Sequence, residues 1–152
     1  MFRNQLFKWV EEKFDILETI FILLLLASAA ILMKEVSYAL YGVQASLVLL
    51  AVLYFLMSMR PFAEKVAGIR IIIRRVVYIS FALGCLTVLS VFQFDGEMDS
   101  HKLIIATLSF IGVSVVSLLL LKYKMKANDQ IFGLFLRCVI FTLILIWLLM
   151  MY

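Results

Sequence analysis

Two charged residues lie inside long apolar runs of this sequence: Glu18 in residues 16–33 and Arg137 in residues 131–152. Charged side chains within membrane-spanning segments are rare and are functional candidates by default. Arg137 lies six residues into its run, roughly 9 Å along a helix at about 1.5 Å per residue. Because Glu18 is expected at a similar depth, the two side chains could form an ion pair between helices. Two alternatives stay open: both residues extend to the membrane surface as anchors, or they serve transport.

A second group of chemically capable residues lies in the sequence DGEMDSHK, residues 95–102, and consists of Asp95, Glu97, Asp99 and His101. Alternating carboxylates followed by a histidine could bind a metal ion. A calcium-binding EF-hand loop needs glycine at its sixth position, however, and Gly96 is at the second. A polar turn is therefore the preferred interpretation. The sequence also contains no G-x-S-x-G or H-E-x-x-H motif. We expect no enzymatic activity, no metal site and no cofactor.

The elements that must position these residues are apolar. Of 152 residues, 66% are hydrophobic and 16% charged, with a mean hydropathy of +1.13, whereas a soluble domain has about 25% charged residues. So short a chain cannot bury that much apolar surface from water, so lipid must be its solvent. The runs are continuous and not alternating, which favours helices over a barrel. The formal charge of +4 lies in links between runs, so a nucleic-acid partner is not expected.

The sequence predicts an all-α, polytopic transmembrane helical bundle that forms a single domain over residues 1–152. About five spans are expected, at residues 16–33, 36–59, 76–94, 103–121 and 131–152. An amphipathic segment, residues 1–15, precedes the first span and is predicted to lie at the membrane interface. A helical extension of the first span is the equal alternative.

Between the second and third spans lies the basic hinge, residues 60–75, with the sequence RPFAEKVAGIRIIIRR. It holds five of the fourteen Lys and Arg residues, namely Arg60, Lys65, Arg70, Arg74 and Arg75. Three more at the N-terminus and three in residues 122–130 make eleven on one face, against two on the other. Since cytoplasmic loops are rich in Lys and Arg, we expect a cytoplasmic N-terminus and an external C-terminus. The hinge residues are expected to anchor to anionic lipid headgroups, at about 1 kcal/mol each.

Small residues in the spans are expected to mark helix contact faces, because helices in lipid associate through close backbone approach. The candidate packing residues are Gly42, Ala45, Ser80, Gly84, Ser109 and Gly112. The fifth run is large and apolar apart from Gly133, so it is expected on the outside of the bundle, against lipid or another protein.

The expected function is that of a small, non-enzymatic integral membrane protein, a subunit or scaffold component of a membrane complex. Its expected partners are the lipid bilayer with its anionic headgroups, and either further copies of the chain or a larger membrane protein. One alternative is a transporter or channel that is complete only as an oligomer, with Ser109, Gly112 and Ser117 on its polar face. The other is an adaptor that binds anionic lipid at the membrane surface. The expected location is a cell membrane, with the bacterial inner membrane preferred.

Overall fold

A computed structural model describes residues 2–32, 34, 38–60, 68–93, 100–125 and 129–151. They form five helices: α1 (Phe2–Leu32), α2 (Tyr38–Ser58), α3 (Gly68–Gln93), α4 (Ser100–Met125) and α5 (Asp129–Met151). All five are long and apolar enough to cross a membrane, with mean hydropathy from 2.0 to 2.6 in their most apolar stretches. The prediction of an all-helical chain with five helices of spanning length is confirmed.

Two helices, α1 and α3, begin well before their predicted starts, and α4 and α5 begin three and two residues earlier. α1 is continuous from Phe2, so residues 2–15, the described part of the amphipathic segment, form one helix with the first span, as in the alternative arrangement. The reason is packing: Val10 and Phe14, four residues apart on one face, are buried in the core. α3 begins at Gly68 instead of residue 76. Three arginines of the basic hinge therefore lie on its first turns, while residues 61–67, with Lys65, lie outside the described part of the chain.

α3 is the central helix. It packs against α2, α4 and α5, whereas α1 packs against α2. Half of the most apolar stretch of α3 is buried, against 6% of the corresponding stretch of α1. Among the described residues, no Cα atom of α1 lies within 8 Å of one of α5. The bundle is thus open along the α1–α5 side.

Paired hydroxyl groups join α3 to α4. The Oγ atoms of Ser80 and Ser114 lie 2.8 Å apart, and the Oγ1 atoms of Thr87 and Thr107 lie 2.6 Å apart. All four side chains are buried. The later residue of α3, Thr87, thus pairs with the earlier residue of α4, Thr107, so the two helices are antiparallel. In lipid such hydroxyl pairs contribute roughly 0.6 kcal/mol each to helix association.

The predicted packing residues divide into two groups. Ser80 is buried, a Cβ atom at Gly42 would clash with Ser28, and one at Gly84 would lie 2.9 Å from Cδ1 of Phe141. Close helix contacts occur at these three positions. Ala45, Ser109 and Gly112 are instead exposed on the outside of the chain.

For Ser109 and Gly112 the prediction of a contact face therefore does not hold within one chain. α4 turns a different stripe to the core, consisting of Ile104, Thr107, Ile111, Ser114 and Leu118. These residues follow one another at alternating steps of three and four, which keeps them on one side of a helix with 3.6 residues per turn. α4 has small or hydroxyl residues on both sides, so residue size alone could not distinguish the inner face from the outer one.

We expect Gly84→Ala to destabilise the bundle, because the added methyl group meets the ring of Phe141, which stacks on Phe81 at 5.3 Å. Overpacking of this kind costs about 1–3 kcal/mol. Gly68→Ala is the matched control, since a Cβ atom there meets nothing within 4 Å. Thermal unfolding in detergent should show a lower midpoint for Gly84→Ala and an unchanged or slightly higher one for Gly68→Ala. Equal midpoints would contradict the close contact of Gly84 with Phe141.

Candidate functional site

A buried carboxylate, that of Glu18, is the centre of the candidate site. Its side chain is on α1 and the residue is only 5% exposed. Tyr54 of α2 donates a hydrogen bond from its Oη atom to Oε1 at 2.6 Å. Arg137 of α5 donates from Nε to the same oxygen at 2.7 Å and from Nη2 to Oε2. The guanidinium therefore binds the carboxylate in a bidentate manner, through two parallel hydrogen bonds, which is the strongest and most directional form of an arginine–carboxylate pair.

α1 positions a second carboxylate beside the first. Asp15 precedes Glu18 by three residues, so both side chains lie on the same face of the helix. The Oδ1 atom of Asp15 lies 3.4 Å from Nη2 of Arg137, and its side chain is 90% exposed. Arg137 thus connects an exposed carboxylate at the surface to a buried one behind it.

Aromatic rings surround the ion pair. The ring of Phe14 lies 5.6 Å from the guanidinium carbon of Arg137, close enough for a cation–π contact. Tyr54 contacts Phe81 and Phe141, at centroid distances of 5.3 and 6.1 Å. These rings exclude water from the inner side of the carboxylate. The charges are therefore poorly screened, and each depends on its partner.

Beside the ion pair, a cavity of about 370 Å³ opens at one end of the bundle. We call this end of the bundle the basic end; α1, α3 and α5 begin there and α2 ends there. The cavity is lined by Glu11, Phe14, Asp15, Met57, Arg60, Arg74, Tyr78, Gly133, Leu134 and Arg137. Its volume falls within the range of small-molecule sites, about 300–1,000 Å³.

The charged groups of the cavity are arranged by depth. Phe14, Met57 and Leu134 are buried and form its floor, whereas Glu11 and Asp15 are exposed and stand at its mouth. The three arginines are half-buried between these levels. Arg60 forms an ion pair with Glu11. The cavity therefore presents guanidinium groups on its walls and carboxylates at its rim.

The structure separates the predicted lipid anchors of the basic hinge. Arg60 and Arg74 line the cavity, Arg70 is half-buried, and Arg75 is exposed outside the cavity. Lys65 lies outside the described residues. Arg74 and Arg75 are adjacent in sequence but about 100° apart around the helix, so one faces the cavity and the other does not.

Other residues considered from the sequence are not brought together. Asp95, Glu97 and Asp99 lie outside the part of the chain that the structure describes, and His101 is exposed. Within the described part, no three His, Cys, Asp or Glu side chains are placed to hold a metal ion.

The sequence pattern did not identify several side chains of the site. The position of Asp15 three residues before Glu18 was a usable signal, because both must share a helix face. Phe14, four residues before Glu18, shared that signal. Tyr54 and Tyr78 gave none, since they come from α2 and α3 and each looks locally like one more apolar position. Tyr54 is 36 residues from Glu18 and Arg137 is 119 residues from it.

We expect Arg137→Leu to leave membrane insertion intact and to destabilise the bundle by about 3–5 kcal/mol, because an unpaired buried carboxylate remains. The double variant Glu18→Gln/Arg137→Leu should lose less stability than Arg137→Leu, since it leaves no buried charge. Arg75→Leu, which removes an exposed arginine, is the control and should behave like the unmodified chain. Unfolding in mixed micelles measures the stability of all three variants. A double variant less stable than Arg137→Leu would contradict the coupling between Glu18 and Arg137.

No family model, curated protein or solved structure matches this chain. What the chain does must therefore follow from its own side chains: a buried ion pair between α1 and α5, and a charged cavity beside it.

Proposed function

We propose that the chain is a non-enzymatic subunit of a membrane complex. One observation carries this proposal: five of the seven buried polar side chains among the described residues form hydrogen bonds between helices, and the other two, Ser46 and Ser58, donate to carbonyl groups of their own helix. Glu18 bonds to Tyr54 and Arg137, Ser80 to Ser114, and Thr87 to Thr107. A transporter presents such groups to its solute, and an enzyme presents them to its substrate. Here they join α1 to α2 and α5, and α3 to α4, so they serve the packing of the bundle.

The outer face of α4 is the surface that we assign to the partner. Ala106, Ser109 and Gly112 are exposed there, and a Cβ atom at Gly112 would meet nothing within 4 Å. Inside the chain, glycines occur where helices approach closely, as at Gly42 and Gly84. An outward face of the same kind suits a second copy of this chain, because identical faces of small residues can meet across a two-fold axis.

We further propose that the basic end faces the cytoplasm, with the N-terminus inside and the C-terminus outside. Eleven Lys and Arg residues against two support this orientation. Exposed aromatic residues support a position across the bilayer. Trp9 and Tyr123 lie towards the basic end, and Tyr38, Tyr41 and Trp147 lie towards the opposite end. Two belts of Trp and Tyr are typical of a helical bundle that spans both membrane surfaces.

The orientation predicts which residues a membrane-impermeant maleimide reaches in intact cells. Tyr38→Cys should be labelled, because this position is 83% exposed at the proposed external end. Tyr123→Cys, 92% exposed at the basic end, should be labelled only after the cells are opened. The unmodified chain is the control, since Cys85 and Cys138 are buried. The reverse pattern would show that the basic end is external.

The subunit proposal predicts that Gly112→Leu weakens association through α4. The larger side chain would hold the partner helix away, so the mass of the complex in mild detergent, measured by light scattering, should fall towards that of one chain. Ala27→Leu is the matched control, because Ala27 is an exposed small residue on α1. A chain that is already monomeric in mild detergent would contradict the proposal. Solute flux through liposomes containing the oligomer would favour the transporter or channel alternative instead.

A further inference from the structure

The cavity at the basic end carries both signs of charge. Three arginines, Arg60, Arg74 and Arg137, line it together with the carboxylates of Glu11 and Asp15. Glu18, buried behind Arg137, balances the third arginine. A ligand with a single net charge would meet repulsion from one half of this lining. A ligand that carries a phosphate and an ammonium group close together would meet a partner for each.

Arg137 and Arg74 supply the donors that a phosphate requires. Glu18 and Asp15 bond to Nε and Nη2 of Arg137. Its Nη1 atom lies beside Gly133, 3.5 Å from where a Cβ atom would stand. Gly133 itself lines the cavity, so Nη1 lies at the cavity wall. Arg74 lines the cavity from α3, and two arginines from different helices suit the planar, bidentate recognition of phosphate.

The carboxylates of Glu11 and Asp15 suit the ammonium group. Both are exposed residues of the cavity lining, where Oε1 of Glu11 contacts Arg60 and Oδ1 of Asp15 contacts Arg137. Carboxylates accept hydrogen bonds and donate none when ionised, so they favour a primary ammonium with three N–H donors over a trimethylated one.

The open side of the bundle provides a lateral route for acyl chains. Among residues that the structure describes, α1 and α5 do not approach within 8 Å between Cα atoms, and Arg137 crosses this gap as a side chain. The facing helix surfaces are apolar and exposed, with Ile22 of α1 four residues after Glu18, and Ile140 and Ile144 of α5 three and seven residues after Arg137. A lipid can therefore place its tails along this side while its headgroup lies at the level of the cavity.

We propose that this cavity binds the headgroup of an aminophospholipid, a phosphate that carries a primary ammonium group, with the arginines holding the phosphate and Glu11 and Asp15 holding the ammonium. The cavity is separate from the partner surface on α4, so the lipid-binding proposal can be wrong while the subunit proposal is right, and the reverse. It differs from a general attraction to anionic lipid, which would use exposed arginines such as Arg75 equally.

The test is native mass spectrometry of the full-length chain in detergent with phosphatidylethanolamine, phosphatidylglycerol and phosphatidylcholine of identical acyl chains. We expect phosphatidylethanolamine to bind at least about tenfold more tightly than either of the others, as for the loss of a hydrogen bond to a charged group. Equal binding of phosphatidylglycerol would overturn the proposal, because an anion without an ammonium group would then suffice. Equal binding of phosphatidylcholine would overturn the role of the carboxylates.

Matched variants separate the cavity from the surface. Arg74→Gln and Glu11→Gln should each weaken phosphatidylethanolamine binding by about tenfold, whereas Arg75→Gln makes the same charge change on the neighbouring exposed residue and should not. Gly133→Leu narrows the cavity without changing its charge and should weaken binding as well. If Arg75→Gln weakened phosphatidylethanolamine binding as much as Arg74→Gln, the proposal would be overturned. Thermal midpoints measured alongside show whether each variant remains folded.

Soluble glycerophosphoethanolamine distinguishes the two sources of this headgroup chemistry. If the lipid is the ligand, the soluble compound should compete only weakly, since it has no tails to lie between α1 and α5. Competition as strong as that of the lipid would overturn the lateral route and assign the cavity to a soluble phosphate–ammonium compound.

Discussion

The bundle depends on a buried carboxylate. Glu18 is 5% exposed and lies in the middle of α1, between the rings of the core and the side chains of two other helices. A charged group removed from water costs several kcal/mol unless it is paired and hydrogen-bonded. Arg137 and Tyr54 supply this compensation from α5 and α2. One charged side chain therefore constrains three helices at once, including two that make no close backbone contact.

The consequence is a bundle with two different kinds of helix contact. α2, α3, α4 and α5 follow one another through close packing, with buried hydroxyl pairs between α3 and α4. α1 and α5 are connected by side chains across an open gap. A packed interface resists sliding because its side chains interlock, whereas the contact between α1 and α5 rests on the ion pair of Glu18 and Arg137. The stability of the α1–α5 side therefore depends on that pair.

The charged cavity lies on the same side for a physical reason. An ion pair that reaches inwards from the membrane surface needs polar neighbours along its path, because each exposed or half-buried charge requires a counter-charge or water. Asp15, Glu11 and Arg60 supply this path from the surface to Glu18. A lipid headgroup has the same requirements as these side chains. The gap between α1 and α5, beside a cavity lined by both signs of charge, is therefore suited to the lipid headgroup that we propose.

Much of this architecture can be read from composition. Apolar runs of spanning length between charged links predict five helices, because a backbone in lipid must satisfy its own hydrogen bonds. The similar depth of Glu18 and Arg137 suggested that they could pair, since both lie a short way into runs that begin on the same side. Three-dimensional packing was needed for the rest. Which face of α4 is buried depends on the neighbouring helices, since Ser114 and Ser109 are alike as residues and opposite in position. Arg74 lines the cavity and Arg75 does not, and this difference depends on where α3 begins and how it is rotated. An apolar sequence carries little information about helix rotation, because lipid accepts almost any helix face.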